Sequence, residues 1–294
     1  MKVKSRASLQ MTCAMVISGT VGWFVLASGQ PPLVVVFWRC LFGALALLLV
    51  CAGLGVLRDH RLSCWQALLI SLGGLALVLN WLLLFSAYQH ASIAVATVVY
   101  HTQPFMLVGL GVLFFNERFS WSKAGWLLIA FAGMACIVSA KSSTGASGAA
   151  YLYGVLLALG SAFFYAIAAA ITKRLKEVPA HLIVLIQMLV GVVVMGPFAR
   201  LAEVGQIQDA WVYLIAIGVI HTGLMSTLLY GAIQEIPTAL VGALSFIYPV
   251  VAILVDWVAF DHPLSLLQLL GAVAILLAAA GMTCAWTLPI TGRR

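Results

Sequence analysis

Residues 87–120 read AYQHASIAVATVVYHTQPFMLVGLGVLFFNERFS, and residues 232–265 read AIQEIPTALVGALSFIYPVVAILVDWVAFDHPLS. Each stretch is an apolar run with a proline near its middle and polar residues at its end. An offset of 145 positions superposes Ala87, Gln89, Ala94, Pro104 and Ser120 on Ala232, Gln234, Ala239, Pro249 and Ser265. Because the match includes the mid-run proline and the loop that follows, it indicates two copies of one unit.

The duplication extends to the earlier part of each unit. A second register, displaced by 148 positions, superposes Pro31 and Gly43 on Pro179 and Gly191. Each unit is predicted to hold five helices, and an odd number means that the second unit enters the membrane from the opposite side. Inverted repeats around a midplane site are typical of secondary transporters. The two predicted units are residues 1–145 and 146–294.

Composition places both units in a membrane. Of the 294 residues, 64% are hydrophobic and 8% are charged, against roughly a quarter charged in a soluble domain. A hydrocarbon core roughly 30 Å thick needs about 20 apolar residues per helix. We therefore predict an all-α integral membrane fold, with ten transmembrane helices in two inverted five-helix repeats. The predicted spans are 9–28, 33–54, 64–86, 92–115, 121–140, 151–172, 180–199, 210–231, 238–260 and 265–287.

Basic residues predict the orientation of the helices. If the N-terminus is cytoplasmic, twelve of the 15 Lys and Arg residues lie on the cytoplasmic side, and Arg39, Lys141 and Arg200 do not. This bias predicts a multi-pass protein of the bacterial inner membrane with both termini in the cytoplasm. Attraction to anionic lipid explains the net charge of +7, so nucleic acid is not a predicted partner. The basic N-terminus could belong to a signal peptide, but no small-residue cleavage site follows, and we interpret it as part of a retained first helix.

The order of several short motifs resembles a known family. The first half carries them at Ala87, Pro104, Glu117-Arg118-Phe119-Ser120, Gly125 and Gly133, and the second half at Ala232, Pro249, Ser265, Gly271 and Gly281. Together with Arg39 in predicted helix 2, this order resembles the drug/metabolite transporter superfamily, EamA branch. The resemblance implies export of amino acids and other metabolites, and the chain is most similar to bacterial aromatic-amino-acid exporters. One loop departs from the pattern, because His262 occupies the position that Glu117 holds in the first half.

Two prolines interrupt apolar runs. Pro104 and Pro249 each remove a backbone donor and free the carbonyl four residues earlier, at Tyr100 and Ser245. In lipid such a break is tolerated only where protein or a water-filled cavity takes over the carbonyl. We interpret the two prolines as hinges beside a cavity, with a plain kink as the alternative.

Polar and aromatic side chains near mid-span are the candidate substrate-binding residues. Ionisable and amide groups at that depth are costly and usually face a cavity, although an interhelical hydrogen bond is the alternative for Asn80, Gln187 and His221. Mid-span aromatic rings either stack on a substrate or fill the core. The predicted substrate-binding residues are Ser18, Trp23, Asn80, Trp81, Tyr100, His101, Gln103, Phe164, Tyr165, Gln187, His221, Ser245 and Tyr248.

The placement of charge constrains the substrate. No Lys or Arg is predicted at the midplane, so the cavity is expected to lack a clamp for phosphate or another highly charged anion. Arg39 and Asp256 lie below the predicted outer surface, where they either pair as an outer gate or snorkel to the headgroups. No carboxylate lies deep in a helix, which leaves His101 and His221 to titrate near neutral pH. These features predict a neutral or zwitterionic solute, carried by facilitated transport or with weak coupling through histidine.

Other classes of function fit the sequence less well. The main alternative is a multidrug or lipophilic-cation exporter, since an aromatic cavity also suits such a cation. A membrane-embedded enzyme would need clustered acidic or metal-binding residues, and the sequence has neither HExxH nor a phosphate-binding loop. A cation channel would normally show carboxylate rings or a carbonyl filter. No metal or cofactor is predicted, and the expected partners of a monomer are membrane lipid and a small-molecule substrate.

Overall fold

The computed structural model is helical through almost all of the residues that it describes, which are 2–59, 62–91, 96, 99–118, 120–139, 149–198, 210–260 and 265–287. No strand occurs among them. The first five long helices are α1 (Lys2–Ser28), α2 (Pro32–Gly53), α3 (Cys64–His90), α4 (Gln103–Phe115) and α5 (Trp121–Ser139). The second five are α6 (Ala149–Arg174), α7 (Ala180–Met195), α8 (Ala210–Glu235), α9 in two pieces (Thr238–Ser245 and Ile247–Phe260) and α10 (Leu266–Thr283).

These helices confirm the predicted fold class. Within the described part of the chain, eight helices are long and apolar enough to cross a membrane, and the apolar helices α4 and α5 are shorter. α1 begins at Lys2 rather than at residue 9, because backbone hydrogen bonding continues past the apolar run into the basic residues. α3 likewise continues to His90. The predicted boundary between the two units falls at 145/146, within residues 140–148, which lie outside the described residues.

The contacts between helices are related by exchange of the two halves. α3 packs on α6 as α8 packs on α1, and α3 packs on α7 as α8 packs on α2. α4 packs on α6 as α9 packs on α1. In three further contacts, each helix packs on its own counterpart from the other half: α2 on α7, α4 on α9 and α5 on α10. This pattern is that of two repeats around a pseudo-two-fold axis, which is where transporters of this architecture bind substrate.

Small residues allow one of these axial contacts to be close. Where α5 meets α10, a Cβ atom on Gly133 would collide with the backbone oxygen of Gly271, and a Cβ atom on Gly271 with the oxygen of Gly133. Small residues at helix crossings let backbones approach within a membrane. α5 and α10 therefore lie against each other along their backbones.

α8 departs from α-helical geometry in its middle. Ile217–Leu224 is a π-helical segment between two α-helical pieces. The backbone N–H of Met225 donates to the carbonyl of Ile220, five residues earlier, and the Thr222 hydroxyl donates to the carbonyl of Ile217 at 3.1 Å. π-Helical turns are rare in proteins overall, but those that occur often lie at functional sites. This one places His221 and Thr222 against α1 and α2, respectively.

Candidate central cavity

A cavity of about 210 Å³ lies between the two halves of the bundle. It is smaller than the roughly 300 to 1,000 Å³ of pockets that hold drug-sized ligands. Its wall comes from both repeats: α1, α2, α3, α6, α8, α9 and the segment at the start of α4. The lining residues are Met15, Ser18, Val21, Arg39, Trp81, Leu84, Tyr100, His101, Gln103, Tyr165, Met225, Leu229, Ser245 and Tyr248.

The structure brings eight of the predicted substrate-binding residues into this wall. They come from five different parts of the chain, which the helix crossings close to the pseudo-two-fold axis bring together. Their role in binding stays a prediction. The eight are Ser18, Trp81, Tyr100, His101, Gln103, Tyr165, Ser245 and Tyr248.

Three predicted polar residues lie outside the wall. Each makes the hydrogen bond to another helix that was the alternative for it, while its second polar atom (Asn80 Oδ1, Gln187 Nε2 or His221 Nδ1) is buried without a partner among the described residues. Such contacts stabilise helix association in lipid by about 0.6 kcal/mol on average. The contacts are Asn80 to the carbonyl and hydroxyl oxygens of Ser161 (2.9 and 2.8 Å), Tyr230 hydroxyl to Gln187 Oε1 (2.6 Å), and His221 Nε2 with Thr20 Oγ1 (2.8 Å).

Two predicted aromatic residues also lie outside the wall. Trp23 is 36% exposed, and its ring meets that of Tyr213 edge to face. Phe164 packs against Phe163. Neighbouring residues of a helix point about 100° apart, so Phe164 cannot share the direction of Tyr165, which does line the cavity.

Aromatic rings from different helices touch one another across the cavity wall. The rings of His101 and Tyr248 are stacked, with centroids 5.8 Å apart and an interplanar angle of 21°. Tyr100 meets Tyr165 edge to face at 6.2 Å and His101 at 5.7 Å. Offset-stacked and edge-to-face pairs are the favoured geometries of aromatic rings. The cluster therefore forms a preorganised aromatic surface at the helix breaks.

The chain breaks at equivalent positions beside α4 and within α9. α4 begins at Gln103, directly after a turn, and Pro104 is its second residue. The two pieces of α9 are separated at Phe246, and Pro249 is the third residue of the second piece. With the offset of 145, Phe246 corresponds to His101 in the turn before α4. Each proline therefore lies in the first turn of a new helix, where its missing N–H has no intrahelical partner to lose. Whether the breaks act as hinges stays a prediction.

Arg39 corrects one expectation about charge. Its guanidinium lines the cavity, so the prediction of a cavity without Lys or Arg was wrong. Its Nε donates to Thr222 Oγ1 at 3.2 Å, and its Cζ lies 4.6 Å from the centroid of the Trp81 ring. These contacts explain why the side chain need not snorkel to the headgroups. The partner proposed for it in the outer gate, Asp256, has a side chain that lies outside those the structure describes.

An ion pair links several segments at one end of the bundle. This basal end carries the loops at 116–118, 175–179 and 236–237 together with Lys4 and Trp286. Glu117 lies 3.1 Å from Lys173 Nζ, and it accepts hydrogen bonds from Thr238 N and Oγ1. Lys173 also donates to the carbonyl of Ile236 at 2.6 Å. These contacts join the loop after α4 to the last turn of α6 and to the start of α9 with the loop that precedes it.

The contacts of Glu117 control its protonation. Burial alone would raise the pKa of the carboxyl, but the hydrogen bonds from Thr238 and the charge of Lys173 outweigh burial and hold the pKa below its usual range. The N-terminus of α9, where Thr238 lies, adds a favourable helix dipole. Glu117 is therefore a carboxylate at neutral pH. Sequence analysis identified this loop from the resemblance but did not find its partners, and Lys173 entered only as an orienting charge.

A bundle of inverted repeats around a small central cavity defines a membrane transporter. The EamA-like transporter family matches the chain twice, over residues 6–139 and 152–284. The chain therefore belongs to the EamA-like transporter family, within the drug/metabolite transporter superfamily.

Two relatives are also named as transporters, in agreement with this family. An uncharacterized transporter of Bacillus subtilis, YxxF, is 30% identical over 278 residues, which are 93% of this chain and 88% of the relative. An uncharacterized transporter of Archaeoglobus fulgidus is 28% identical over 276 residues, covering 92% and 93% of the two chains. A protein of known crystal structure has a TM-score of 0.83 at 21% identity, covering 96% of this chain and 97% of the other. This last likeness shows the fold alone.

Proposed function

We propose that this transporter exports small neutral or zwitterionic metabolites, chiefly amino acids and among them aromatic ones, by alternating access around the central cavity. The observation that carries the proposal is the aromatic surface of the cavity, where Tyr100, His101, Tyr165 and Tyr248 touch one another. The volume of the cavity, about 210 Å³, suits a small solute that carries one aromatic side chain.

The proposed orientation places both termini in the cytoplasm of a bacterial cell, with the protein in the inner membrane. The positive-inside rule supports it, because the basal end is rich in cations: Lys4, Arg6, Arg118, Lys123, Lys173, Arg174 and Lys176. The ion pair of Glu117 with Lys173 then lies on the cytoplasmic side. A single chain contributes both repeats to the cavity, so the proposed working unit is a monomer.

Arg39 weighs against the alternative of a lipophilic-cation exporter. A guanidinium in the cavity wall repels a cationic ligand, and in a low-dielectric surrounding that repulsion is only weakly screened. A dye cation would also exceed the volume of the cavity. The cavity therefore favours a neutral, zwitterionic or singly anionic solute.

The test is uptake into proteoliposomes that contain the purified protein. Labelled phenylalanine and tryptophan are compared with alanine, a nucleotide sugar and a cationic dye, with and without a pH gradient. Saturable flux of the two aromatic amino acids is the expected result. Flux of the dye alone would overturn the proposal in favour of a multidrug exporter.

A further inference from the structure

Arg39 is the one cationic side chain in the described wall of the cavity apart from the titratable ring of His101. Its position on α2, seven residues after the helix begins at Pro32, puts it below the membrane surface. A charge at that depth costs several kcal/mol unless it is paired or hydrated. Its presence in the wall therefore needs a physical reason.

Two contacts fix the plane of the Arg39 guanidinium. Thr222 Oγ1 accepts from Nε at 3.2 Å, and the ring of Trp81 lies under Cζ at 4.6 Å. Thr222 reaches Arg39 because α8 packs closely on α2, where a Cβ atom on Gly43 would collide with the Thr222 side chain. The π-helical segment of α8 carries Thr222 into this contact.

The hydrogen bond to Thr222 uses Nε of the guanidinium and leaves its two terminal nitrogens available for other partners. An arginine has five N–H donors in a planar fork, and none of the described residues accepts a hydrogen bond from its two terminal nitrogens. The carboxylate side chains that the structure describes are those of Glu117, Glu177 and Glu235, which all lie at the basal end. The described protein thus holds a fixed fork in the cavity wall without a described anion opposite it.

We infer that Arg39 binds the carboxylate of the transported solute, which makes the central cavity a monocarboxylate site. The inference rests on the proposed function and adds the group by which the solute is recognised. A planar carboxylate accepts two parallel hydrogen bonds from a guanidinium fork, and a charge-assisted pair of this kind is about twice as strong as a neutral one. One fork matches one negative charge, so a dianion would carry an excess charge into the membrane.

The same wall predicts that the amino group of the solute is dispensable. No carboxylate is found among the described lining residues, and the described groups available to an ammonium are neutral, such as Ser18, Gln103 and Ser245. An ammonium would donate to these neutral oxygens without an opposite charge beside it, whereas the carboxylate would form an ion pair with Arg39. Selectivity should therefore follow the acid end of the solute.

Four phenyl compounds separate these two ends in the wild-type protein. In proteoliposomes at pH 7, phenylalanine and 3-phenylpropionate should both compete with labelled phenylalanine. Phenylalaninamide and phenethylamine, which lack a carboxylate, should compete at least about 10-fold less well. Equal competition by phenylalanine and phenylalaninamide would overturn the carboxylate site while leaving the export of aromatic solutes standing.

Variants at Arg39 and Thr222 then test the residues. Arg39→Gln should raise the half-saturation concentration for phenylalanine about 10- to 100-fold and abolish the preference over phenylalaninamide. Arg39→Lys should give an intermediate value, because the charge stays but the fork is lost. Thr222→Val, at a positioning residue, should raise the half-saturation concentration with little change in maximal rate. Arg6→Gln, at an exposed arginine outside the cavity, is the matched control.

The failures of the two proposals are distinguishable. If aromatic solutes are not carried but alanine is, with the same sensitivity to Arg39→Gln, the aromatic preference falls and the carboxylate site stands. Unchanged selectivity in an Arg39→Gln protein that inserts normally would overturn the site. If that variant does not insert, Arg39→Lys and the four wild-type competitions still decide.

Discussion

α4 and α9 are related by the internal repeat. Their backbones follow the same path, but their side chains differ. Both segments break at the same aligned position and resume with a proline in the first turn of the new helix. The aligned residues at the two breaks differ: Tyr100, His101 and Gln103 on one side correspond to Ser245, Phe246 and Tyr248 on the other. Duplication has thus kept the break and changed the chemistry, so a solute meets two unlike surfaces.

The ends of the two helices differ as well. The loop after α4 carries Glu117, which reaches the first turn of α9 and pairs with Lys173. The aligned residue after α9 is His262, which lies outside the described residues. The comparison teaches that pseudo-symmetry holds for the path of the chain, whereas the carboxylate of the basal ion pair comes from the first half and its described partners come from the second.

The largest expected effect comes from removing that ion pair. Glu117→Gln deprives Lys173, whose side chain is 6% exposed, of its charged partner, and breaking a buried pair costs about 3 kcal/mol. We expect this loss in the free energy of unfolding, measured by reversible unfolding in mixed detergent micelles. Glu235→Gln, at an exposed acid of the same end, should change stability by less than about 0.5 kcal/mol. Equal stability of wild type and Glu117→Gln would show that the pair does not stabilise the folded protein.

Acid should abolish the same contribution. The folded contacts bind the carboxylate form of Glu117, so its pKa is lowered and its stabilisation is present above the ordinary glutamate pKa. That stabilisation is lost as pH falls through the lowered pKa. The difference in unfolding free energy between wild type and Glu117→Gln should therefore be full at pH 7 and shrink below about pH 4.3. A difference that stays constant into acid would exclude ionisation of Glu117 as its source.

A smaller effect is expected where α4 crosses α9. A Cβ atom on Gly242 would lie 2.8 Å from Cβ of Pro104, closer than real Cβ atoms approach. Gly242→Ala should therefore destabilise the protein by about 1 to 3 kcal/mol, as overpacking does. Gly22→Ala in α1 is the control, because a Cβ atom there meets nothing within 4 Å and alanine is the better helix former. If both variants unfold alike, the two helices do not depend on this close approach.

The smallest effect on stability should come from making the two breaks alike. His101→Phe gives the turn before α4 the residue that α9 has at Phe246 and keeps a ring against Tyr248. A swap of similar volume should cost less than about 1.5 kcal/mol. Uptake of phenylalanine should nevertheless fall several-fold, because the ring nitrogens leave the cavity wall. Unchanged uptake with unchanged stability would mean that the two breaks are chemically interchangeable.

The fold could be predicted well from the sequence because the patterns that indicate it extend over many residues. Runs of about 20 apolar residues, the break residues between them and the internal offset each constrain helix number without knowledge of side-chain direction. The same signals located the breaks at Pro104 and Pro249, since proline acts on its own backbone.

The site was predicted only in part because it depends on direction and on partners from distant segments. Asn80, Gln187 and His221 are as polar as Gln103, yet their helices turn them toward neighbours that accept or donate a hydrogen bond. The depth of Arg39 became acceptable only through Trp81, 42 positions further along the chain, and Thr222. No local pattern of residues predicts such contacts, and none predicts the π-helical segment of α8.

The π-helical segment of α8 is a local defect that can shift along the helix, as a dislocation shifts through a crystal. A wide turn holds one residue more than an α-helical turn, and it can advance along the helix as each N–H exchanges an acceptor five residues back for one four residues back. Every such step keeps the backbone hydrogen-bonded, as lipid requires, and rotates the side chains that the turn has passed. Thr222 could in this way turn toward or away from Arg39 while both ends of α8 stay in place.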